Sequence, residues 1–214
     1  MKRCIIFCGG NMDTERDWKA EYGRDFILCA DGGLRHAQRL GVTPDMIIGD
    51  LDSGIESYPD EIRHRIFPAE KDKTDTNLCL DFAIENGYDE VLLLGGLGGR
   101  RDHEYSHYCL MYQALRRGVR MRMLSGTQEI WMENAPFVLY PNEKKYISFF
   151  PFGGDVKDFC VHGLKYEAEG MTLRCDCVQA SSNQFDGGDV AEIRFAPGGT
   201  VLVMRCADKA CEVQ

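Results

Sequence analysis

Residues 90–96 read EVLLLGG, four apolar side chains in a row between a glutamate and two glycines. A strand with one wet face alternates apolar and polar residues. An unbroken run therefore predicts a strand covered on both faces, as in a parallel sheet. Helix signals flank it. Upstream, TDTNLCLDFAIENG (74–87) offers Thr74 as N-cap, Leu78, Cys79, Phe82 and Ala83 on one face, and Gly87 as a stop. Downstream, HEYSHYCLMYQALRRG (103–118) places Tyr105, Tyr108, Met111, Tyr112 and Leu115 on one side and ends at Gly118. VRMRMLS (119–125) then reads as a strand. Toward the N-terminus, RCIIFCGG (3–10), FILCADGG (26–33) and MIIGD (46–50) are apolar runs closed by glycine or aspartate. LRHAQRLG (34–41) is a short helix, and RHRIFPAEKDK (63–73) holds another strand. This alternation predicts an α/β domain with a mostly parallel sheet.

The texture changes after about Ile130. FVLYPN, KYISFFPF, VKDFCVHGLKY, MTLRCDCVQ, VAEIRFAPGG and TVLVMRC are strand-like runs separated by turn residues, with no convincing helix. Such spacing predicts a small all-β sandwich or barrel, with APGGT as a candidate hairpin turn joining the last two strands. The expected organisation is an α/β domain over residues 1–128 and a C-terminal β-sandwich over 129–214.

The chain has 214 residues and a net charge of −9. That balance argues against general nucleic-acid binding, which needs a basic face. A polyphosphate remains admissible if a divalent metal or a local basic cluster accompanies it. The N-terminal apolar run is too short for a signal-peptide core, and no stretch is long enough to span a membrane. Ten cysteines are scattered from Cys4 to Cys211 with no CxxC pair. Reduced, mostly buried thiols in a cytoplasmic protein are expected, rather than a zinc site.

Four polar clusters follow apolar strands or open helices: ADGG (30–33), GDLDS (49–53), KDKTD (71–75) and GGLGGRRDH (95–103). Ligands of open parallel sheets bind beyond the carboxyl ends of the strands, so all four are expected to face one crevice. In GDLDS, Asp50 and Asp52 lie on the same side of an extended chain. Like charges that close repel unless a cation sits between them, so they are either solvated turn residues or metal ligands. Magnesium takes one or two carboxylates plus phosphate oxygens. Asp72 or Asp75 would complete that shell, and Lys71 or Lys73 would touch phosphate; ordinary helix N-terminal charge is the alternative. In GGLGGRRDH, glycines including Gly98 and Gly99 let backbone N–H groups approach a ligand, and Arg100 and Arg101 suit phosphate oxygens. Asp102 would orient a hydroxyl or metal-bound water, and His103 would bind phosphate or cap the helix. Asp31 either caps the following helix or meets the nucleotide.

Other features read as architecture. Gly9 and Gly10 make a tight turn. His36, His64, His107 and His162 lack metal-ligand spacing. RRGVRMR (116–122) is a solvated basic edge, Trp18 and Trp131 are packing residues, and SSNQF (181–185) is a turn.

Taken in order, ADGG, GDLDS, KDKTD, GGRRDH, GLKY (163–166) and SSNQ (181–184) give a chain that resembles the thiamine pyrophosphokinase family over nearly its whole length. The resemblance implies an α/β catalytic domain joined to a β-sandwich, and a homodimer with thiamine between the domains near the dimer interface. It implies transfer of a pyrophosphoryl group from ATP to the hydroxyethyl oxygen of thiamine, with Mg2+ and release of AMP. It places Asp50, Asp52, Asp72 and Asp75 at the metal and phosphate centre. Arg100, Asp102 and His103 fall at the nucleotide and reaction site, and Ser182 and Asn183 on the thiamine pyrimidine. Gln184 stands where the family often has Glu, and GLKY continues into Glu167-Ala168 rather than Pro-Leu. Competing readings are a pyrophosphokinase for another alcohol, a phosphatase using Asp50 as nucleophile, and a non-catalytic nucleotide or thiamine sensor.

Overall fold

Apolar runs of the first half become parallel strands: β1 (Arg3–Phe7), β2 (Phe26–Ala30), β3 (Met46–Gly49), β4 (Arg63–Ile66), β5 (Glu90–Leu94) and β6 (Arg120–Leu124). A computed structural model describes residues 1–12, 25–51 and 57–208. By its internal contacts the chain divides into Met1–Gly126 and Thr127–Gln214, against the division between residues 128 and 129 expected from sequence. In the first unit the strands lie in the order β6-β5-β1-β2-β3-β4, each parallel to its neighbour. All of β5 is buried, as an apolar run without alternation requires. Edge strand β4 is exposed throughout. From β1 the chain steps outward through β2, β3 and β4, then returns to add β5 and β6 on the other side of β1. The order therefore reverses between β1 and β5, where the connecting loops diverge and leave a crevice.

Helix α1 (Leu34–Arg39) follows β2 through a 3-10 turn at Asp31–Gly33, α2 (Asp75–Glu85) precedes β5, and α3 (Arg101–Arg116) follows it. The Thr74 hydroxyl caps α2 by accepting from Asn77 N at 3.2 Å, which satisfies one of the orphan donors of the first turn. Its buried side chains are Thr76, Cys79, Leu80 and Ala83, and Phe82 stacks on Phe26 at 5.7 Å between centroids. The buried stripe of α3 is His107, Leu110, Met111 and Ala114, rotated from the tyrosine-rich face expected from sequence. Tyr105 is 64 % exposed. Ala114 lets the helix approach the sheet closely, and His107 is admitted because its ring nitrogens find partners. Arg122 is not on a solvated edge either. It holds buried Glu90 through Nε at 3.0 Å and Nη2 at 2.8 Å.

The second unit is a β-sandwich. One sheet runs in the order β12 (Ala180–Asn183), β9 (Tyr146–Pro151), β14 (Val201–Cys206), β7 (Gln128–Glu133); the other runs β11 (Ala168–Leu173), β10 (Val156–His162), β13 (Ala191–Arg194), β8 (Phe137–Leu139). Their inner faces share one core, with Phe149 against Phe159 at 5.5 Å and Trp131, Val203, Val161 and Ile193 around them. Three sequence readings change here. APGGT does not close a hairpin: β13 pairs with β10 and β8, β14 with β7 and β9, so the turn carries the chain from one sheet to the other. The strand expected at MTLRCDCVQ begins earlier and stops at Leu173, where Arg174 pairs with Asp176 at 2.6 Å and Cys177 N returns to Arg174 O. SSNQF is not a simple turn, because Ala180–Asn183 is an edge strand. Ala180 faces Phe149 and Asn183 faces Ile147, so one extra residue is accommodated as a bulge, with Ser182 at φ +57°.

Candidate active site

The loops at the carboxyl ends of β1, β2, β3 and β5, with the segment entering α2, line a cavity of about 600 Å³. Of the residues singled out from sequence, Asp31, Asp50, Lys71, Asp72, Lys73, Asp75, Gly98, Gly99, Arg100 and His103 all reach it. Asp52 and Trp18 lie outside the described residues. Asp102 is not among the residues lining the cavity, although its partner Arg100 is, and Ser182 and Asn183 belong to the sandwich.

At the centre stand Asp31, Asp50 and Asp75, each offering an oxygen within 4.8 Å of the other two. The Lys71 ammonium is bonded to Asp50 and lies 3.1 Å from Asp75 Oδ1. Burial disfavours that ammonium, but its bond to Asp50 and the nearby charge of Asp75 prevail and hold its pKa above the ordinary value. Asp75 is pushed up to about 6, first by burial and further by Asp50 and Asp31, with Lys71 pulling the other way. Its Oδ1 is buried and accepts no hydrogen bond of normal geometry despite the nearby ammonium. Three carboxylates and one ammonium carry a formal charge of −2, and every carboxylate donor is a hard oxygen. That set fits a divalent cation of the magnesium type.

Asp72 is exposed and outside this cluster. Lys73 lines the cavity, with its ammonium 2.7 Å from Asp81. Arg100, the N-cap residue of α3, is held by Asp102 through bonds of 3.1 and 2.6 Å. The Arg100 bond holds Asp102 at about 2, so this carboxylate is a weak proton acceptor near neutrality. Its visible work is to fix Arg100. Gly98 and Gly99 have φ of +73° and +76°, which glycine adopts without the cost of a Cβ. Gly10 does more than make a turn: its N–H donates to Gly95 O at 2.9 Å, and its own carbonyl meets His36 Nε2 at 2.8 Å.

Sequence reasoning passed over a buried polar chain behind the cavity. His107 Nδ1 is 2.7 Å from Gly96 O, its Nε2 is 3.5 Å from Thr76 Oγ1, and that hydroxyl is 3.3 Å from Cys8 Sγ. A carbonyl only accepts, so Nδ1 carries the proton and Nε2 accepts from Thr76. This ties the glycine-rich loop to the first turn of α2. Burial lowers the His107 pKa from its ordinary 6.5, His103 adds to this, and the Gly96 bond and Glu104 oppose it. An unfolded chain takes up that proton more readily than the folded one. The stability from neutral His107 is therefore present above 6.5 and lost as pH falls toward the lowered folded value. His107→Gln is expected to flatten the loss of thermal stability between pH 7 and about pH 5; parallel acid limbs for both proteins would contradict this assignment.

In the sandwich, Asn183 is 6 % exposed. Its Oδ1 accepts from Tyr166 N at 3.0 Å and Gln184 N at 2.9 Å, while Nδ2 donates to Tyr166 O at 2.7 Å. Lys165 N also donates to Gln184 O at 2.8 Å. GLKY and SSNQ are thus stitched together, a link that no local sequence signal announces. Asn183→Ala would remove three hydrogen bonds to the part-buried backbone of Tyr166 and Gln184, at a cost of about 1–3 kcal/mol. Denaturant unfolding of the sandwich should register it, and an unchanged midpoint would contradict it.

Fold and site together define an α/β unit with a carboxylate-lined cavity at its strand-order reversal, followed by a β-sandwich. Comparison with known proteins makes this specific. Residues 18–123 match the family model "Thiamin pyrophosphokinase, catalytic domain" and residues 137–198 match "Thiamin pyrophosphokinase, vitamin B1 binding domain". The chain is 30 % identical to the thiamine pyrophosphokinase of Bacillus subtilis over 192 residues, covering 86 % of this chain and 90 % of that protein. A rice thiamine pyrophosphokinase is 24 % identical over 187 residues, 73 % of this chain and 70 % of the relative. The crystal structure of the Bacillus subtilis enzyme superposes with a TM-score of 0.88 at 26 % identity, covering 97 % of this chain and 100 % of the other. Yeast thiamin pyrophosphokinase shares the fold at a TM-score of 0.77 and 15 % identity, covering 96 % of this chain and 86 % of the other. The chain belongs to the thiamine pyrophosphokinase family. It is accordingly an enzyme, a transferase of the kinase type that pyrophosphorylates thiamine.

Proposed function

We propose that the donor is ATP, that AMP is released, and that Mg2+ is held by Asp50 and Asp75 with Asp31, together with Asp52 and with Asp72 as a further carboxylate at the cavity wall. The observation that carries this reading is the convergence of three hard-oxygen carboxylates and a lysine in one cavity at the strand-order reversal. Bound there, Mg2+ would offset charge on the triphosphate and on departing AMP. Transfer of phosphoryl groups is mostly positioning and charge stabilisation, and the chain supplies both. Lys71 and Arg100 offer donors to phosphate oxygens, and Lys73 and His103 lie at the cavity wall. Gly98 and Gly99 keep the loop clear of side chains, so backbone comes close to the nucleotide. Asp102 orients Arg100. Ser182, exposed on the bulge of β12, would contact thiamine as the family resemblance implies, and Asn183 holds that segment in shape. A homodimer is proposed on the family resemblance. A reducing, cytoplasmic setting is supported by the nine free cysteines among the described residues, and no helix among the described residues is long and apolar enough to cross a membrane.

ATP labelled separately at the β- and γ-phosphates tests the transfer. Both labels are expected in thiamine diphosphate. Label only from the γ position would mean a single phosphoryl transfer and would refute the proposed chemistry.

A further inference from the structure

We propose that Tyr58 is a positioning residue for the carboxylate centre, its phenol fixing Asp31 in the orientation that completes the oxygen cage for a divalent cation. The proposal rests on the functional reading above. Tyr58 is 5 % exposed, and its hydroxyl donates to Asp31 Oδ1. The same oxygen accepts from Leu51 N at 3.2 Å. Asp31 is 2 % exposed, with φ +35°, and Leu51 has φ +67°. Non-glycine residues avoid this region, and such strain persists only where the surroundings over-determine it. Here one carboxylate joins the two strained residues, and Leu51 directly follows Asp50.

Gly49 provides the space for this arrangement. A Cβ there would lie 2.3 Å from the Tyr58 hydroxyl and 2.5 Å from Asp31 Cβ. A phenol is a hydrogen-bond donor at neutral pH, and the Tyr58 hydroxyl donates to Asp31. Tyr58 brings no charge of its own to the centre. Its contribution is direction: a carboxylate pinned by two donors cannot swing away from Asp50 and Asp75. Hydrogen bonds of this kind behind a metal ligand commonly govern its affinity.

The test is Mn2+ binding to the full chain without nucleotide, followed by electron paramagnetic resonance, for wild type and Tyr58→Phe. The metal-free unfolding midpoint and the thiamine KM are measured alongside. Tyr58→Phe is expected to weaken Mn2+ about tenfold or more, with thiamine KM unchanged. Equal or tighter Mn2+ binding by the variant would overturn the proposal, including where its metal-free stability drops, since Tyr58 would then be a packing residue. A wild type that binds no Mn2+ would overturn the cation site itself, a separate and visible failure. If the variant does not fold, wild type carrying 3-fluorotyrosine decides. One tyrosine fluorine signal should shift with saturating Mg2+, and no responding signal would refute the role.

Discussion

Asp50→Asn is expected to lower turnover about a thousandfold, with the thiamine KM and the fold little changed. Asn keeps the shape but removes the charge that Lys71 and a cation both require. In the present arrangement Asp50 binds Lys71 directly and shares the centre with Asp31 and Asp75. Losing its charge leaves Lys71 with Asp75 alone and makes the centre one charge poorer. Positioned metal and charge stabilisation supply several kcal/mol of transition-state energy, and about 4 kcal/mol corresponds to a thousandfold. The effect should fall on kcat and on the Mg2+ requirement, because the sandwich is untouched. A loss below about tenfold, or normal activation by Mg2+, would remove Asp50 from the centre.

The largest effect on stability is expected from Gly33→Ala. Gly33 closes the turn that carries Asp31, and a Cβ there would lie 2.0 Å from Phe7 O and 2.5 Å from Phe7 C. Its φ of −62° is ordinary, so the difficulty is space rather than backbone freedom. The obstacle is backbone of central strand β1, which pairs on both sides with β2 and β5 and cannot yield locally. Overpacking of this kind costs about 3 kcal/mol, occasionally more. In a protein of this size that lowers the unfolding temperature by roughly 6–12 °C. Mg2+ binding should weaken as well, because the turn cannot move without moving Asp31. A midpoint within about 2 °C of wild type would show that the turn has room to shift.

The fold was legible wherever one residue pattern had one structural solution. EVLLL had to be a doubly covered strand, and Thr74 to Gly87 carried its own start and stop. The stripe on α3 was misread because hydrophobicity alone ranks Tyr105 above His107. Burial there is decided by two partners, Gly96 and Thr76, distant in sequence. The sandwich connections failed for a related reason. APGGT has hairpin chemistry, but which sheet each flanking strand joins is fixed by long-range pairing.

The centre was partly legible. Asp50 and Asp75 stood out because carboxylates after strands or at helix mouths need partners. The sequence leaves Asp31 between two roles, although ADGG follows FILC as GDLDS follows MII. Tyr58 gave no signal at all, since nothing in sequence brings a tyrosine eight residues beyond Asp50 back onto Asp31. The resemblance places Asn183 on the substrate. Its amide is engaged by the backbone of Tyr166 and Gln184, a contact visible only in three dimensions.

The most direct test of the central claim is product analysis by anion-exchange chromatography with ATP and thiamine, with Mg2+ and after its removal by EDTA. AMP and thiamine diphosphate in equal amounts, dependent on both thiamine and Mg2+, is the predicted result. ADP with thiamine monophosphate, or turnover that survives EDTA, would contradict the account.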